Sequence, residues 1–518
     1  MPICNEYRRG LLLSLCLLLC SGSLVAQGQQ PDPPQAPQGQ RNMTVTDRRY
    51  RLRQSGAKPS PTTTPGTMGA GTSQPSSRVF TVQEAVDFAL ANYPAVRASL
   101  ESYNAARASV SLARTSYLPR LDALWQGDRG TRNSVLGVLL PQFPTVMPST
   151  QGSVLKPSDR AFWVSGMGVL FTWEPFDFGY RRSNVRSSEA TENRTAAQIT
   201  LTQLGVGSAV ADAALAVLAD EQRVKASQAD VDRRTVFAKS VHALVDAHIR
   251  PGADASRADA ELAAAQTQLI QAQEIQEVAR AALAEILGIA GTPVDVKPGP
   301  FLMIPPEQSW AAMPVTSHPA TVVEQKRIQE VQSRISVLNH SYYPQFTLEE
   351  LSSARGSGAN ANGTAAAGFN GLGADEAHNW EAGLTVWLPL LEYPSIRERK
   401  KIEMANRRRE QAVYDQTVLN ITGQLNRERA ILEGARRVAE NTPIELKAAQ
   451  DSEAQARARF RAGVGTIVDV AEAQRLLVQA EIDDSLARLS IWRALADLAA
   501  AEGDVHPFLN LANSIPNP

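Results

Sequence analysis

The chain has 518 residues, a formal net charge of −1 and hydrophobic residues at 43%. It is therefore long enough for several domains, and nothing in its charge balance points to a polyanion partner. All cysteines, Cys4, Cys16 and Cys20, fall within residues 1–20. A chain cleaved beyond them has no disulfide, zinc knot or cysteine nucleophile.

The first segment joins Arg8-Arg9 to an apolar run from Leu11 to Leu19 and to small residues ending at Ala26. This pattern predicts a secretory signal over 1–26, too short to span a bilayer. Cys20 follows Leu19, where a lipoprotein signal carries a small residue, so cleavage near Ala26 is favoured over lipidation. Residues 27–77 are rich in Gln, Pro, Ser, Thr and Gly and read as a disordered extension. No later segment holds eighteen consecutive apolar residues, so no transmembrane helix is expected.

A first repeat is expected over 78–290. Thr81-x-x-Glu84 is a capping box opening a short helix, and a second helix runs from Pro94 to about Ser116, stopped by Pro119. Two β-like stretches follow, 120–129 and 162–173. The second places Trp163, Ser165, Met167, Val169, Phe171 and Trp173 on one face. Its end tryptophans are ten residues apart, roughly 25 Å at a barrel tilt, which is the height of a lipid-facing band between aromatic girdles. Residues 181–249 lack proline and carry Val210, Val217, Val224, Val231, Ala238 and Val245 at every seventh position. That is a coiled-coil seam on a helix ~100 Å long. A turn at Arg250-Pro251-Gly252 leads into a return helix over 256–287, with Ser256 and Asp259 as its expected cap.

A proline-rich connector, 291–316, leads to a second repeat over 317–503 and a tail over 504–518. Pro319 matches Pro94 and Tyr342 matches Tyr117 at an offset of 225; Trp380 matches Trp163 at 217; Arg461-x-Gly463 matches Arg250-x-Gly252 at 211. Strands are expected at 345–353 and 380–390, the latter with Trp380, Ala382, Leu384, Val386, Leu388 and Leu390 on one face and Glu381, Gly383 and Thr385 on the other. A long helix over 395–461 repeats the heptads through Val418, Leu425, Leu432, Ala439 and Leu446. Thr442-Pro443-Ile444-Glu445 predicts a kink or restart within it. Gly463 and Gly465 stop it, Thr466 and Asp469 cap the return helix, and that helix runs to 502.

Together these residues resemble the TolC-type outer-membrane efflux channels over about 80–503, most specifically at Gly463 to Glu472 and the preceding Arg457-x-Arg459-Phe460-Arg461. The resemblance implies a mixed α and β membrane protein in the outer membrane. Each protomer would give four strands and paired long helices, and a homotrimer would close a twelve-stranded barrel on a periplasmic helical tunnel. The implied function is a passive exit duct of a tripartite efflux or type I secretion system, with a periplasmic adaptor and an inner-membrane transporter as partners. Asp469 and Glu472 would form the periplasmic gate, six carboxylates around a threefold axis whose repulsion raises some of their pKa values. The tips Arg250, Pro251, Gly252, Arg461, Gly463, Val464 and Gly465 would dock the adaptor, and Trp163, Trp173 and Trp380 would mark the membrane girdle. An arginine that latches the tip in some members falls on Gly465, and the family's glycine after the second strand is present as Gly179 but falls on Pro394 in the second copy.

Catalysis has little support: the six histidines are scattered, and neither HExxH nor GxSxG occurs. No enzyme, cofactor, metal or nucleic-acid partner is expected. Two other readings stand beside the channel. A soluble sandwich would also alternate its strands, and a periplasmic coiled-coil scaffold or adaptor would have no pore. Asp469 and Asp259 are equally explained as helix caps.

Overall fold

The computed structural model describes residues 78–131, 161–306 and 310–515, except 312, 359–363, 365–366, 371 and 373–376. The expected signal and extension lie outside the described residues.

Strand β1 (Arg78–Phe80) leads into α1 (Val82–Asn92), opened by the predicted capping box: Glu84 N–H donates to the Thr81 hydroxyl at 3.2 Å, and Thr81 N–H to the Glu84 carboxylate at 2.8 Å. Helix α2 (Pro94–Thr115) starts on its proline, where the missing N–H costs nothing. Strands β2 (Arg120–Thr131) and β3 (Ala161–Phe176) follow, then α3 (Tyr180–Asp246) and α4 (Gly252–Ile286). The connector contributes β4 (Val294–Val296), which pairs in parallel with β1. The second half repeats the order as α5 (Pro319–His340), β5 (Gln345–Ser357), β6 (Ala377–Trp387), α6 (Tyr393–Arg461) and α7 (Ile467–Glu502), and α8 (His506–Ser514) follows.

The four long strands form one antiparallel sheet in the order β2-β3-β5-β6. Its register aligns Trp125 with Met167, Val169 with Ser352, and Ser352 with Trp380. One face therefore gathers Leu121, Trp125, Met167, Val169, Leu384 and Val386, all exposed, with Glu350 and Ser352 interrupting it. The opposite face carries Asp122, Gln126, Thr172, Glu349, Glu381 and Thr385. The period-two alternation of the sequence is thus preserved across all four strands.

The main core lies away from the sheet. Ala85 and Val86 of α1, Val210, Val217 and Leu218 of α3, Leu283 of α4, and Leu495 and Ala499 of α7 are buried together. One described helix, α3, is long and apolar enough to cross a membrane, against expectation. Its apolar stretch packs inward on α1 and α7, which accounts for the composition. The heptad positions Val231 and Ala238 are buried on α3, and Leu425, Leu432 and Ala439 on α6.

Several expectations are corrected. Helix α6 runs without interruption through Pro443: the Thr442 hydroxyl donates to the Asp484 carboxylate of α7 at 3.3 Å instead of capping a new helix. The expected tail contains α8, whose Phe508 is buried against Phe301 and Trp492. Within the connector, Val294–Val296 pairs with β1, and the Trp492 indole N–H donates to Met303 O at 2.8 Å. Strand β6 ends at Trp387, so Leu388 and Leu390 belong to the turn that follows.

Candidate functional site

Both long hairpins end in the same turn. In the first, Ala247 N–H donates to Ala243 O, His248 to Val245 O, and Ile249 and Arg250 to Leu244 O. In the second, Ala462 donates to Ala458 O, Gly463 to Phe460 O, and Val464 and Gly465 to Arg459 O. The bonds superpose at an offset of 215, not 211. Gly463, at φ +80°, therefore corresponds to His248, at φ +59°, and Gly465 corresponds to Arg250. The offset does not shrink steadily either: α6 starts 213 residues after α3 (Tyr180 to Tyr393), and α7 starts 215 after α4 (Gly252 to Ile467). The difference is two extra residues in α6, which has 69 against 67.

That register also moves the caps. Thr466 and Asp469 form the predicted box, Thr466 N–H donating to the Asp469 carboxylate at 3.0 Å and Asp469 N–H to the Thr466 hydroxyl at 3.3 Å. Their counterparts are Pro251 and Asp254, because α4 begins at Gly252 with Pro251 as N-cap. Ser256 and Asp259 do not cap: the Ser256 hydroxyl donates to Gly252 O, and Asp259 pairs with His242 of α3 at 2.8 Å. The bond to Asp259 raises the His242 pKa. In the second half the helix N-cap is Glu392, in the position held by Gly179 in the first, with Pro394 just inside the helix.

Asp469 and Glu472 both lie exposed on the first turns of α7. Hydrogen bonds from the Thr466 backbone and side chain hold the Asp469 carboxyl below its ordinary range. The Arg475 guanidinium, donating to both Glu472 oxygens at 2.6 and 3.1 Å, does the same for Glu472. Within one chain both shifts are downward, because each carboxylate has a local donor; the rise expected from repulsion between copies belongs to the ring and is a separate effect. Arg475, three residues after Glu472, was visible in the sequence but not read as part of the site.

The two tips are joined. Arg250 donates to Phe460 O at 3.1 Å and Gly465 O at 3.4 Å, and its guanidinium lies 4.5 Å from the Phe460 ring centroid. Beneath it, Phe460 packs at 5.3 Å on Phe237 of α3, in a small core with Val241, Ala258, Ile467 and Val470. No local pattern could reveal this contact, because its partners are 210 residues apart. Around Arg250 the tips expose Ile249, Pro251, Gly252, Arg461, Gly463 and Val464. Gly465 is buried, and a Cβ there would meet Phe460 N at 3.0 Å and Arg459 C at 3.1 Å, a tight fit in this hairpin, although the first hairpin holds Arg250 at the equivalent position.

At the far end of the helices, the girdle candidates share the apolar sheet face. Trp380 is 76% exposed, Trp173 is exposed with its indole N–H donating to Tyr117 O at 3.3 Å, and Trp163 is half-buried beside Phe369 and Arg129.

A protein-family profile described as outer membrane efflux protein matches residues 85–289 and 317–504. The curated relative "Protein CyaE" of Bordetella pertussis is 28% identical over 429 residues, which cover 81% of this chain and 83% of that protein. Among solved structures, the CmeC outer membrane channel of Campylobacter jejuni is similar with a TM-score of 0.65 at 15% identity, over 84% of this chain and 89% of that one. The MtrE outer membrane channel of Neisseria gonorrhoeae, in its open state, matches with a TM-score of 0.61 at 18% identity, over 82% and 89%.

Proposed function

We propose that this chain, which belongs to the outer membrane efflux protein family, assembles as a trimer whose twelve strands close a barrel over a continuous α-helical conduit. The chain itself is an exit duct of the outer membrane, and its family is one of channels. The observation that carries the trimer is the sheet: among the described residues, four strands with an apolar face end in unpaired edges at β2 and β6. Unpaired backbone groups in lipid cost several kcal/mol each, and four strands are too few to enclose a lumen. Closure by further copies resolves both. Single-channel recording in a planar bilayer tests the duct, with discrete conductance steps expected and an electrically silent preparation overturning it.

Two finer roles follow from the tips. The exposed ends at Ile249 to Gly252 and Arg461 to Val464 offer small and apolar surface to the helical tip of a periplasmic adaptor coupled to an inner-membrane transporter. Gly252 has open space around its Cβ position, whereas Gly463 sits at positive φ. A bulky residue at Gly252 alone is therefore the cleaner test: export should fall with assembly unchanged, and full export in Gly252→Trp would remove the docking role. Asp469 and Glu472, repeated around a threefold axis, would give the narrow end of the conduit its preference for cations.

A further inference from the structure

The duplicated halves differ where strand gives way to long helix. In the first half the junction is closed on itself. Asp177 accepts from Gly179 N–H, Arg181 N–H and Arg181 Nε, and Arg181 reaches Ser116 O and lies over the Tyr117 ring. In the second half, among the described residues, no acid–arginine clasp corresponds, because Leu390 and Pro394 stand where Asp177 and Arg181 do. The turn after β6 leaves Leu390 63% and Leu391 95% exposed beside exposed Trp387 and Leu388. The first two turns of α6 then carry Arg397, Arg399, Lys400 and Lys401 against Glu398 alone. Lys401 pairs with Glu398 at 2.7 Å. Among the described residues, Arg397, Arg399 and Lys400 have no carboxylate partner. Tyr393, at the start of the helix, contacts Tyr342 with ring centroids 5.5 Å apart and donates its hydroxyl to Tyr342 O.

We propose that this junction is a docking surface for anionic phospholipid headgroups of the periplasmic leaflet, with Leu390 and Leu391 entering the acyl boundary and Arg397, Arg399 and Lys400 engaging the phosphates. Spacing carries the assignment together with charge. The turn directly continues a strand with a lipid-facing side, and the cations follow Tyr393 by four to seven residues, about 6–10 Å along a helix. The interfacial layer on each side of a bilayer's hydrocarbon core is roughly 5–8 Å thick, and arginine and lysine extend further toward phosphate on apolar stems. Exposed leucines followed by unpaired cations at this depth match the two layers they meet, and aromatic side chains with a polar tip favour the same zone. A second copy of the chain offers no free partner at the start of β2, which would face this turn across a closed barrel: its carboxylate, Asp122, is already paired with Arg120 at 2.6 Å.

The inference rests on the membrane reading of the sheet, and its test is separable from that of the channel. The detergent-extracted full chain is titrated with phosphatidylglycerol and separately with phosphatidylcholine, and bound lipids are counted by native mass spectrometry at physiological salt. Wild type should prefer phosphatidylglycerol. The combined Arg397→Gln, Arg399→Gln and Lys400→Gln variant should lose about fivefold per cation, roughly a hundredfold in all. Arg427→Gln with Arg437→Gln, further along α6, should change nothing. Leu390→Ser with Leu391→Ser should weaken both lipids. Equal binding of the two lipids by wild type, an unchanged preference in the triple variant, or competition by inorganic phosphate overturns the proposal. So does a triple variant that changes assembly mass while keeping its lipids, since the surface then lies between copies. A phosphatidylglycerol preference in an assembly that conducts nothing leaves this surface standing and removes the duct.

Discussion

Arg250 is the residue whose removal tests the coupling of the two tips. Its bonds to Phe460 O and Gly465 O and its stacking on Phe460 have the character of charge-assisted contacts worth about 1–3 kcal/mol. Arg250→Ala should therefore speed amide exchange at Val464, Gly465 and Thr466 by about tenfold or more, while exchange in the main core stays unchanged. Asp469→Asn with Glu472→Gln should reduce cation selectivity with little effect on folding, because an asparagine can still accept in the cap. The pH dependence has a definite sign. Both folded pKa values lie below the unfolded ones, about 3.9 for Asp and 4.3 for Glu, so the ionised arrangement is complete above that range and is lost only as pH falls through the depressed values. Selectivity measured from pH 7 to 5 should be flat, and a loss centred near pH 6 would show that repulsion between copies dominates over the local donors. The Thr466–Asp469 cap was legible because both halves of it lie within four residues. Its expected copy at Ser256 and Asp259 lies five residues too far along, because glycines do not mark the same turn position in both hairpins: the first uses His248 in the left-handed position.

Helix lengths and partners were readable from heptads, and Pro443 was not. Proline inside a helix costs about 3 kcal/mol when nothing compensates. Here Thr442 is bound to Asp484, itself paired with Arg488 at 2.6 Å, so α7 braces α6 at the position where its own ladder is interrupted. Pro443→Ala should raise the melting temperature by a few degrees; Thr442→Val should lower it by an amount that calorimetry resolves, about 1 kcal/mol. An unchanged melting temperature in both would mean that this section of α6 contributes nothing to the cooperative unit. The clasp between α3 and α4 near the first tip has the opposite pH sense to the acids. The His242 pKa is raised by Asp259, so its contribution is full below about pH 6.5 and disappears as pH rises through the higher folded value. Helix α8 is hard to read because nine residues after a glycine stop are too few to repeat a helical period, and only the packing of Phe508 on Phe301 and Trp492 shows where their apolar face goes.

For the whole molecule, the sheet makes the quantitative demand. Detergent-extracted protein should have about three times the protomer mass, and a monodisperse monomer in light scattering would sink the closed barrel. The strand count and the apolar face were legible from period-two alternation. The closure proposed here is not legible from alternation and enters only with the family resemblance, because edge pairing between copies leaves no pattern in one chain. Burial of α8 also bears on how the molecule is made. Phe508 completes an aromatic group with Phe301 and Trp492, and β1 finds its partner β4 only after roughly 210 further residues. A chain emerging amino end first must therefore travel with β1 unpaired until β4 is made, and with Phe301 lacking its aromatic partners until Trp492 and Phe508 follow, roughly 190 to 210 residues later. A product clipped before His506 would leave the faces of Phe301 and Trp492 that Phe508 covers open to water, so the helix seals a surface that the rest of the chain prepares.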